Sequence, residues 1–249
     1  MIMNDTSPIG DTLGRLSPQL RARLERECEQ HPGVRAGECQ TCDREQRRAA
    51  RQGEREAVLA EADKAREEFP LRFRRASTDL PQIVEWVAKF HADPTTAPSL
   101  LLLGPTGTGK THNAYGAVAA AVRVAWPRPV AAGYRKPRWR ALTHADLCAA
   151  LRPRGRDYDP EGELKRFREL DLLMVDDLGA AKSTEFVEEA TYRLVNGRYE
   201  DMRPSIFTSN LAPGELREAV GDRIASRLVE TCVRVVLDGP DRRRTARAA

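Results

Sequence analysis

The chain is poor in aromatic residues, at 6%, and no apolar run approaches the ~18 residues needed to span a bilayer. The N-terminus lacks a basic segment followed by a hydrophobic stretch and a cleavage site, so a cytoplasmic protein with no membrane role is expected. Five cysteines in 249 residues are too few for a disulfide scaffold, and in a reducing compartment any clustering among them points to a metal. Apolar residues are also scarce between positions 15 and 75, where Arg, Glu, Gln and Ala dominate, a mix suited to solvated helix and not to packed interior. The length then allows one α/β domain after residue 80 with a small appendage in front of it.

What is abundant is arginine, 35 of the 41 basic residues, a bias that genome composition alone can produce. Its distribution says more. Residues 123–156 hold nine basic side chains against one acid, Asp146, and the tail DRRRTARAA adds four arginines against one aspartate. Local patches of this kind attract a polyanion.

The apolar run Leu100 to Leu103 reads as a buried parallel strand, and GPTGTGKT at 104–111 opens an alanine-rich helical pattern. Strand, glycine-rich loop and helix form the setting of a phosphate-binding loop. Gly104, Pro105, Thr106, Gly107, Thr108 and Gly109 form the turn that aims backbone amides at the phosphates of ATP; Lys110 reaches the β and γ oxygens, and Thr111 offers a hydroxyl to Mg2+. A second element, DLLMVDDLG at 171–179, is an apolar strand ending in two carboxylates, at the edge where such sheets place their ligand. Asp176 would hold Mg2+ through water and Asp177 would orient or deprotonate the attacking water, although such a pair can also simply cap the next helix.

A third strand-like run, PSIFTSN, ends in Thr208, Ser209 and Asn210; beside a nucleotide, Asn210 can bond the γ-phosphate or the lytic water. Arg223 and Arg227 in GDRIASRLVE are four apart and share one helix face. They are either surface salt-bridge partners or, because only Lys110 otherwise supplies positive charge, an arginine finger given to a neighbouring subunit's ATP. Near the front, Cys28, His31, Cys39 and Cys42 read C-x2-H-x7-C-x2-C around Pro32, Gly33 and Gly37. Two short-spaced pairs across a turn suit tetrahedral Zn2+, the alternative being unligated thiols. Cys148 and Cys232 read as buried small residues. From Asp43 to Arg66 the pattern is an exposed helix or hinge that Gly53 interrupts.

Taken in order, GPTGTGKT, LLMVDDLG, FTSN, GDRIASRL and DGPDRR resemble the AAA+ ATPases of the DnaC and IstB type, replicative helicase loaders and transposition helper ATPases. FPLRFRRA and the amphipathic IVEWVAKF also look like the approach to that domain, so the resemblance covers residues 69–244. It implies an α/β fold, a parallel five-stranded sheet between helices, forming a homo-oligomer with ATP held between subunits. It also implies Asn210 as sensor 1, Arg227 as finger with Arg223 as its companion, and Arg243 as a sensor 2. Only twelve residues follow VRVVL (233–237), too few for a helical lid, and loaders of this type are similarly lidless. RWRAL (138–142), which carries Trp139, becomes the second strand. THADLCAALRPRGR becomes the helical segment that meets single-stranded DNA in initiator-type relatives, with Arg152, Arg154 and Arg156 on phosphates. Some DnaI-like loaders carry an N-terminal zinc-binding region that engages the replicative helicase. The expected organisation is therefore a partner-binding region at 1–65, a lead-in at 66–80 and an ATPase domain at 81–249. The expected activity is slow, DNA-stimulated ATP hydrolysis in loading a replicative DNA helicase, with transposase assistance on duplex DNA as the alternative.

Overall fold

The computed structural model describes residues 28–34, 39–124, 128–130, 133–135, 138–182 and 184–242. The chain divides into two compact units, Met1–Ala57 and Val58–Ala249. In the first, a turn at 28–34 precedes the start of helix α1 (Gln40–Ala65), which is charged and largely exposed and whose residues after Ala57 fall in the second unit. Pairs such as Arg47 with Asp43 at 2.9 Å and Gln52 with Glu56 at 3.1 Å each add a few tenths of a kcal/mol. The expected break at Gly53 does not occur. The helix runs through it with nothing within 4 Å of where a Cβ would sit, and an exposed helical glycine costs only about 1 kcal/mol.

In the second unit, α2 (Pro81–Ala92) begins on a proline and buries Ile83, Trp86 and Phe90. Their three- and four-residue spacing makes one apolar face, each side chain contributing about 1.5–3 kcal/mol. The Trp86 indole donates to the Pro98 carbonyl at 2.6 Å, delivering the chain into β1 (Ser99–Leu103). Helix α3 (Lys110–Val124) follows, then a small antiparallel hairpin, β2 (Arg128–Val130) and β3 (Gly133–Arg135). Next come β4 (Trp139–Thr143), α4 (His144–Leu151), α5 (Pro160–Glu169) and β5 (Leu172–Asp176). The remaining elements are α6 (Glu185–Glu200), β6 (Ser205–Ser209), α7 (Pro213–Val220), α8 (Asp222–Thr231) and β7 (Cys232–Val236).

Five strands form one parallel sheet in the order β4-β5-β6-β1-β7. The expected fold is thus observed, with RWRAL supplying the second of these five strands in chain order, at one edge of the sheet, and the hairpin inserted before it. Strands β1, β5 and β6 are buried throughout, which is why they read as continuous apolar runs. Alternation still sorts their side chains between two cores. Leu100, Leu102, Leu172 and Met174 join α2 and α3 on one face. Leu101, Leu103, Leu173 and Val175 meet apolar residues of α4 to α8 on the other.

Residues 66–80 pack into the first of these cores. Phe69 and Ala76 are buried, Phe69 lies edge-on to Trp139 at 5.3 Å, and Phe73 stacks on Tyr115 at 4.7 Å. Gly116 makes room for this strap: a Cβ there would lie 2.6 Å from the Ser77 carbonyl carbon. Helix α4 stops sooner than the sequence pattern suggests. Arg152 is its C-cap with extended backbone (φ −78°, ψ 130°), as a residue before proline prefers, so Arg154 and Arg156 lie on the loop beyond. Cys148 is buried as expected, whereas Cys232 is only partly so. Among the described residues no helix is long and apolar enough to cross a membrane.

Candidate functional site

The carboxyl ends of β1, β5 and β6, adjacent in the sheet, bring the sequence motifs together. Gly104 leaves β1 with φ +147°, and a Cβ on it would sit 2.1 Å from the Leu237 carbonyl oxygen. Gly107 has φ +90°, and a Cβ there would meet Asp241 Oδ1 at 2.0 Å. Both positions thus require glycine for backbone conformation and for space. Lys110 opens α3; its buried ammonium donates to the Pro105 carbonyl at 2.8 Å and to Asn210 Oδ1 at 2.6 Å.

Thr111 Oγ1 donates to Asp176 Oδ1 at 3.0 Å. The same carboxylate oxygen accepts from Thr208 Oγ1 at 2.6 Å, and Thr208 Oγ1 accepts from the Asp177 N–H at 3.0 Å. Asn210 Nδ2 closes the circuit on Asp177 Oδ1 at 2.9 Å. Lys110, Thr111, Asp176, Asp177 and Asn210 therefore form one hydrogen-bonded set, joined by Thr208. Burial pushes the Asp176 carboxyl above its ordinary value, and the Asp177 charge adds to this. The Thr208 and Thr111 hydroxyls and Lys110 pull it back. These groups fit a nucleotide with a hard divalent ion: glycines leave the cradle open, an ammonium stands at its floor, and Thr111 and Asp176 present neighbouring oxygen donors.

Sequence reasoning did not assign a role to Thr208, although its strand-end position beside Asn210 was the available signal. It linked the segment beyond β7 to nucleotide only through Arg243 and did not place Leu237–Arg242 against the loop itself. The Leu237 N–H donates to the Leu103 carbonyl at 2.8 Å and the Arg242 N–H to the Gly107 carbonyl at 3.0 Å, so Leu237–Arg242 lies along the phosphate loop. Arg243 lies outside the described residues.

Arg223 and Arg227 share a face of α8, and each lies over a tyrosine of α6. The Arg223 guanidinium is 5.8 Å from the Tyr192 ring and that of Arg227 is 3.9 Å from the Tyr199 ring. Tyr199 donates to Glu230 at 2.7 Å, and Arg227 reaches the other Glu230 oxygen at 3.5 Å. Among the described residues neither arginine hydrogen-bonds to the phosphate loop, Asp176 or Asp177. The exposed side chains of the loop after α4 contact aromatics: Arg152 lies over Phe186 at 5.1 Å and Arg154 over Tyr158 at 5.6 Å.

In the first unit, Cys28, His31, Cys39 and Cys42 converge with all ligand atoms within 4.8 Å of one another. Cys28 and His31 come from the turn, Cys39 immediately precedes α1, and Cys42 lies in its first turn. His31 Nδ1 is 3.7, 3.5 and 3.3 Å from the sulfurs of Cys28, Cys39 and Cys42, and Cys28 and Cys42 are 3.3 Å apart. Zn–S bonds of about 2.3 Å and Zn–N bonds of about 2.0–2.1 Å put tetrahedral ligand atoms roughly 3.5–3.8 Å apart, so the cluster fits Zn2+ with small adjustment. Such crowding splits the thiols: hydrogen bonds from Cys42 and His31 hold Cys28 down to about 6, and the same contact with Cys28 holds Cys42 up to about 12.

The sheet order, glycine cradle and strand-end carboxylates define a P-loop ATPase of the AAA+ class. The family profile described as IstB-like ATP binding protein matches residues 38–248, and the chain belongs to that family. An ATP-binding protein of an insertion sequence in Mycobacterium tuberculosis is 28% identical over 150 residues, 58% of this chain and 55% of that protein. The chain thus spans about half the length of this curated relative. Among solved structures, the DnaC helicase loader superposes with a TM-score of 0.56 at 19% identity, over 68% of this chain and 100% of that one. The replication initiator DnaA bound to AMPPCP and single-stranded DNA gives 0.55 at 18%, over 70% and 52%. At these identities the two structures establish a shared fold.

Proposed function

We propose that the chain is an ATP-switched loader that places a hexameric replicative DNA helicase on single-stranded DNA in the cytoplasm. The observation that carries this reading is the four-ligand cluster, which lies within the compact unit Met1–Ala57. Zinc held by Cys28, His31, Cys39 and Cys42 would give a polar segment a fixed shape without a hydrophobic core, suiting it to grip a partner. Residues 1–65 then serve as the partner-binding region, 66–80 as the lead-in and 81–249 as the ATPase domain. The fold shared with a helicase loader and with an initiator bound to single-stranded DNA supports the same assignment.

In the ATPase domain, residues 104–109 wrap the phosphates and Lys110 exchanges Asn210 and Pro105 for β and γ oxygens. Thr111 and Asp176 would hold Mg2+, which would supply charge neutralisation at the phosphate oxygens. Asp177 orients a water whose oxygen attacks the γ-phosphorus; the bond to the β–γ bridging oxygen breaks, and the water proton passes to Asp177. Asn210, released from Lys110, reports the γ-phosphate. Arg227, with Arg223 beside it, reaches the ATP of an adjacent copy in the oligomer, and Arg243 contacts nucleotide from the tail. Arg152, Arg154 and Arg156 meet DNA phosphates, so turnover is slow and raised by DNA.

The test is co-elution of the full chain with a hexameric replicative helicase. Complex formation that survives Lys110→Ala but is lost with Cys39→Ser supports the loader; no complex with the unmutated chain refutes it. A second reading, a transposition helper, is favoured by the insertion-sequence relative. ATP-dependent filaments on duplex DNA, with no helicase bound, would select it.

A further inference from the structure

Asp177 has φ +54° and Gly179 φ +88°, so the loop leaving β5 is held in a left-handed conformation that a non-glycine residue adopts only at some cost in strain. Such a loop keeps its shape only if neighbouring groups fix it. Three of its fixings come from β6: the Asp177 N–H on Thr208 Oγ1, the Leu178 N–H on the Thr208 carbonyl at 2.7 Å, and Ser209 Oγ on the Leu178 carbonyl at 2.8 Å. A fourth comes from the other side of the loop, where the Gly179 N–H donates to Nδ1 of His144 at 3.3 Å.

His144 is the first residue of α4, directly after β4, and is 2% exposed. Its Nε2 lies 2.8 Å from Thr191 Oγ1 on α6. The Thr191 hydroxyl proton is already committed to the Val187 carbonyl at 2.6 Å, so Thr191 accepts and His144 Nε2 carries the hydrogen. Because the Gly179 amide only donates, Nδ1 must be bare. One tautomer of a neutral ring therefore satisfies both neighbours, and burial favours that neutral form. Nothing in the ATP chemistry described above uses this ring.

We infer that His144 is a positioning residue for hydrolysis: through the Gly179 peptide it holds Asp177 in register with the lytic water. The inference rests on the reading of Asp177 as the water-orienting group. Removing the acceptor lets the loop relax away from the left-handed conformation, displacing the carboxylate without touching the phosphate cradle. Thr191 keeps the ring in the productive tautomer.

The experiment compares kcat for ATP hydrolysis, ATP affinity and Tm in full-length His144→Leu, His144→Asn and Asp177→Asn. His144→Leu fills the ring's space but accepts nothing; it should lower kcat about tenfold or more, since small displacements of a reacting group cost that much, with ATP affinity little changed. His144→Asn places Oδ1 where Nδ1 stood and should recover most of the rate while melting no higher than the leucine variant. Rates that follow Tm across both variants, or wild-type kcat in His144→Leu, would overturn the inference. Wild-type turnover by Asp177→Asn overturns the underlying assignment of Asp177, whereas an inactive Asp177→Asn beside a fully active His144→Leu overturns the inference alone. If the histidine variants do not fold, Thr191→Val and Thr191→Ser replace them. Loss of kcat with valine and recovery with serine supports the inference, and equal rates sink it.

Discussion

Replacing Asp176 with Asn should make the nucleotide-free protein more stable and the nucleotide-bound protein less so. The buried carboxylate accepts from Thr208 and Thr111 on the same oxygen, Oδ1, and an asparagine Oδ1 can accept both bonds unchanged. What disappears is a desolvated charge facing a second charge on Asp177. Relief of that kind contributes about 0.5–2 kcal/mol, and at roughly 2–4 °C per kcal/mol for a chain of this size Tm rises by about 1–8 °C. The pH dependence has a definite sign. Because the folded-state pKa is raised, ionisation costs the folded protein. The wild-type deficit therefore opens as pH climbs above the ordinary carboxylate value, is complete above the raised value, and vanishes below the ordinary one. With Mg·ATP at 100 times its Kd the wild type gains about 2.7 kcal/mol; the variant, lacking the carboxylate proposed to hold the metal, should gain far less, and the melting order should invert. Thermal denaturation between pH 3 and 8 (roughly the window in which such a group titrates), with and without Mg·ATP, is the assay. A variant that melts below the wild type at neutral pH without nucleotide refutes this account of Asp176.

Arg198 is almost fully buried, donating to the carbonyls of Phe167, Arg168, Leu170 and Pro204 and to Ser205 Oγ. Although burial pulls its guanidinium down to about 9, it remains charged at neutral pH. Arg198→Ala strands those acceptors and should cost about 3–5 kcal/mol, read as a fall in the denaturant midpoint; a loss under about 1 kcal/mol would contradict this role. Arg227→Ala should leave ATP affinity within about threefold of wild type and lower turnover by about a thousandfold, as loss of a finger does; normal hydrolysis would remove the intersubunit assignment. Metal analysis should find one zinc per chain, removed by chelator or by Cys39→Ser and released as pH falls and the ligands take up protons. A metal-free protein purified at neutral pH would discount the cluster.

Those elements whose partners lie close in sequence, or whose chemistry demands one arrangement, were legible beforehand. Leu100–Leu103, Leu172–Asp176 and Ser205–Ser209 read as strands because burial on both faces leaves no polar alternation to confuse them, and each ends in the residues that the site uses. The Cys–His set was legible because its ligands fall within fifteen residues. The hairpin at 128–135 lacks the alternating pattern of a half-buried strand, and the end of α4 at Leu151 was set by Pro153 against an otherwise helical run. Tyr199 beneath Arg227, and His144 beneath the Asp177 loop, are tertiary contacts that spacing along the chain does not encode. The same holds for Thr208: its position two residues before Asn210 was readable, but its bridge between two carboxylate residues depends on β5 lying beside β6.

The pairing of β1 with β7 builds one wall of the phosphate loop from residues distant in sequence. The loop that opens after Leu103 is flanked by Leu237 and Arg242, far from the glycines along the chain. A chain cut before β7 would therefore keep residues 104–111, Asp176 and Asp177 and yet lack one wall of the cradle, so truncation there should weaken ATP binding although the whole P-loop is retained.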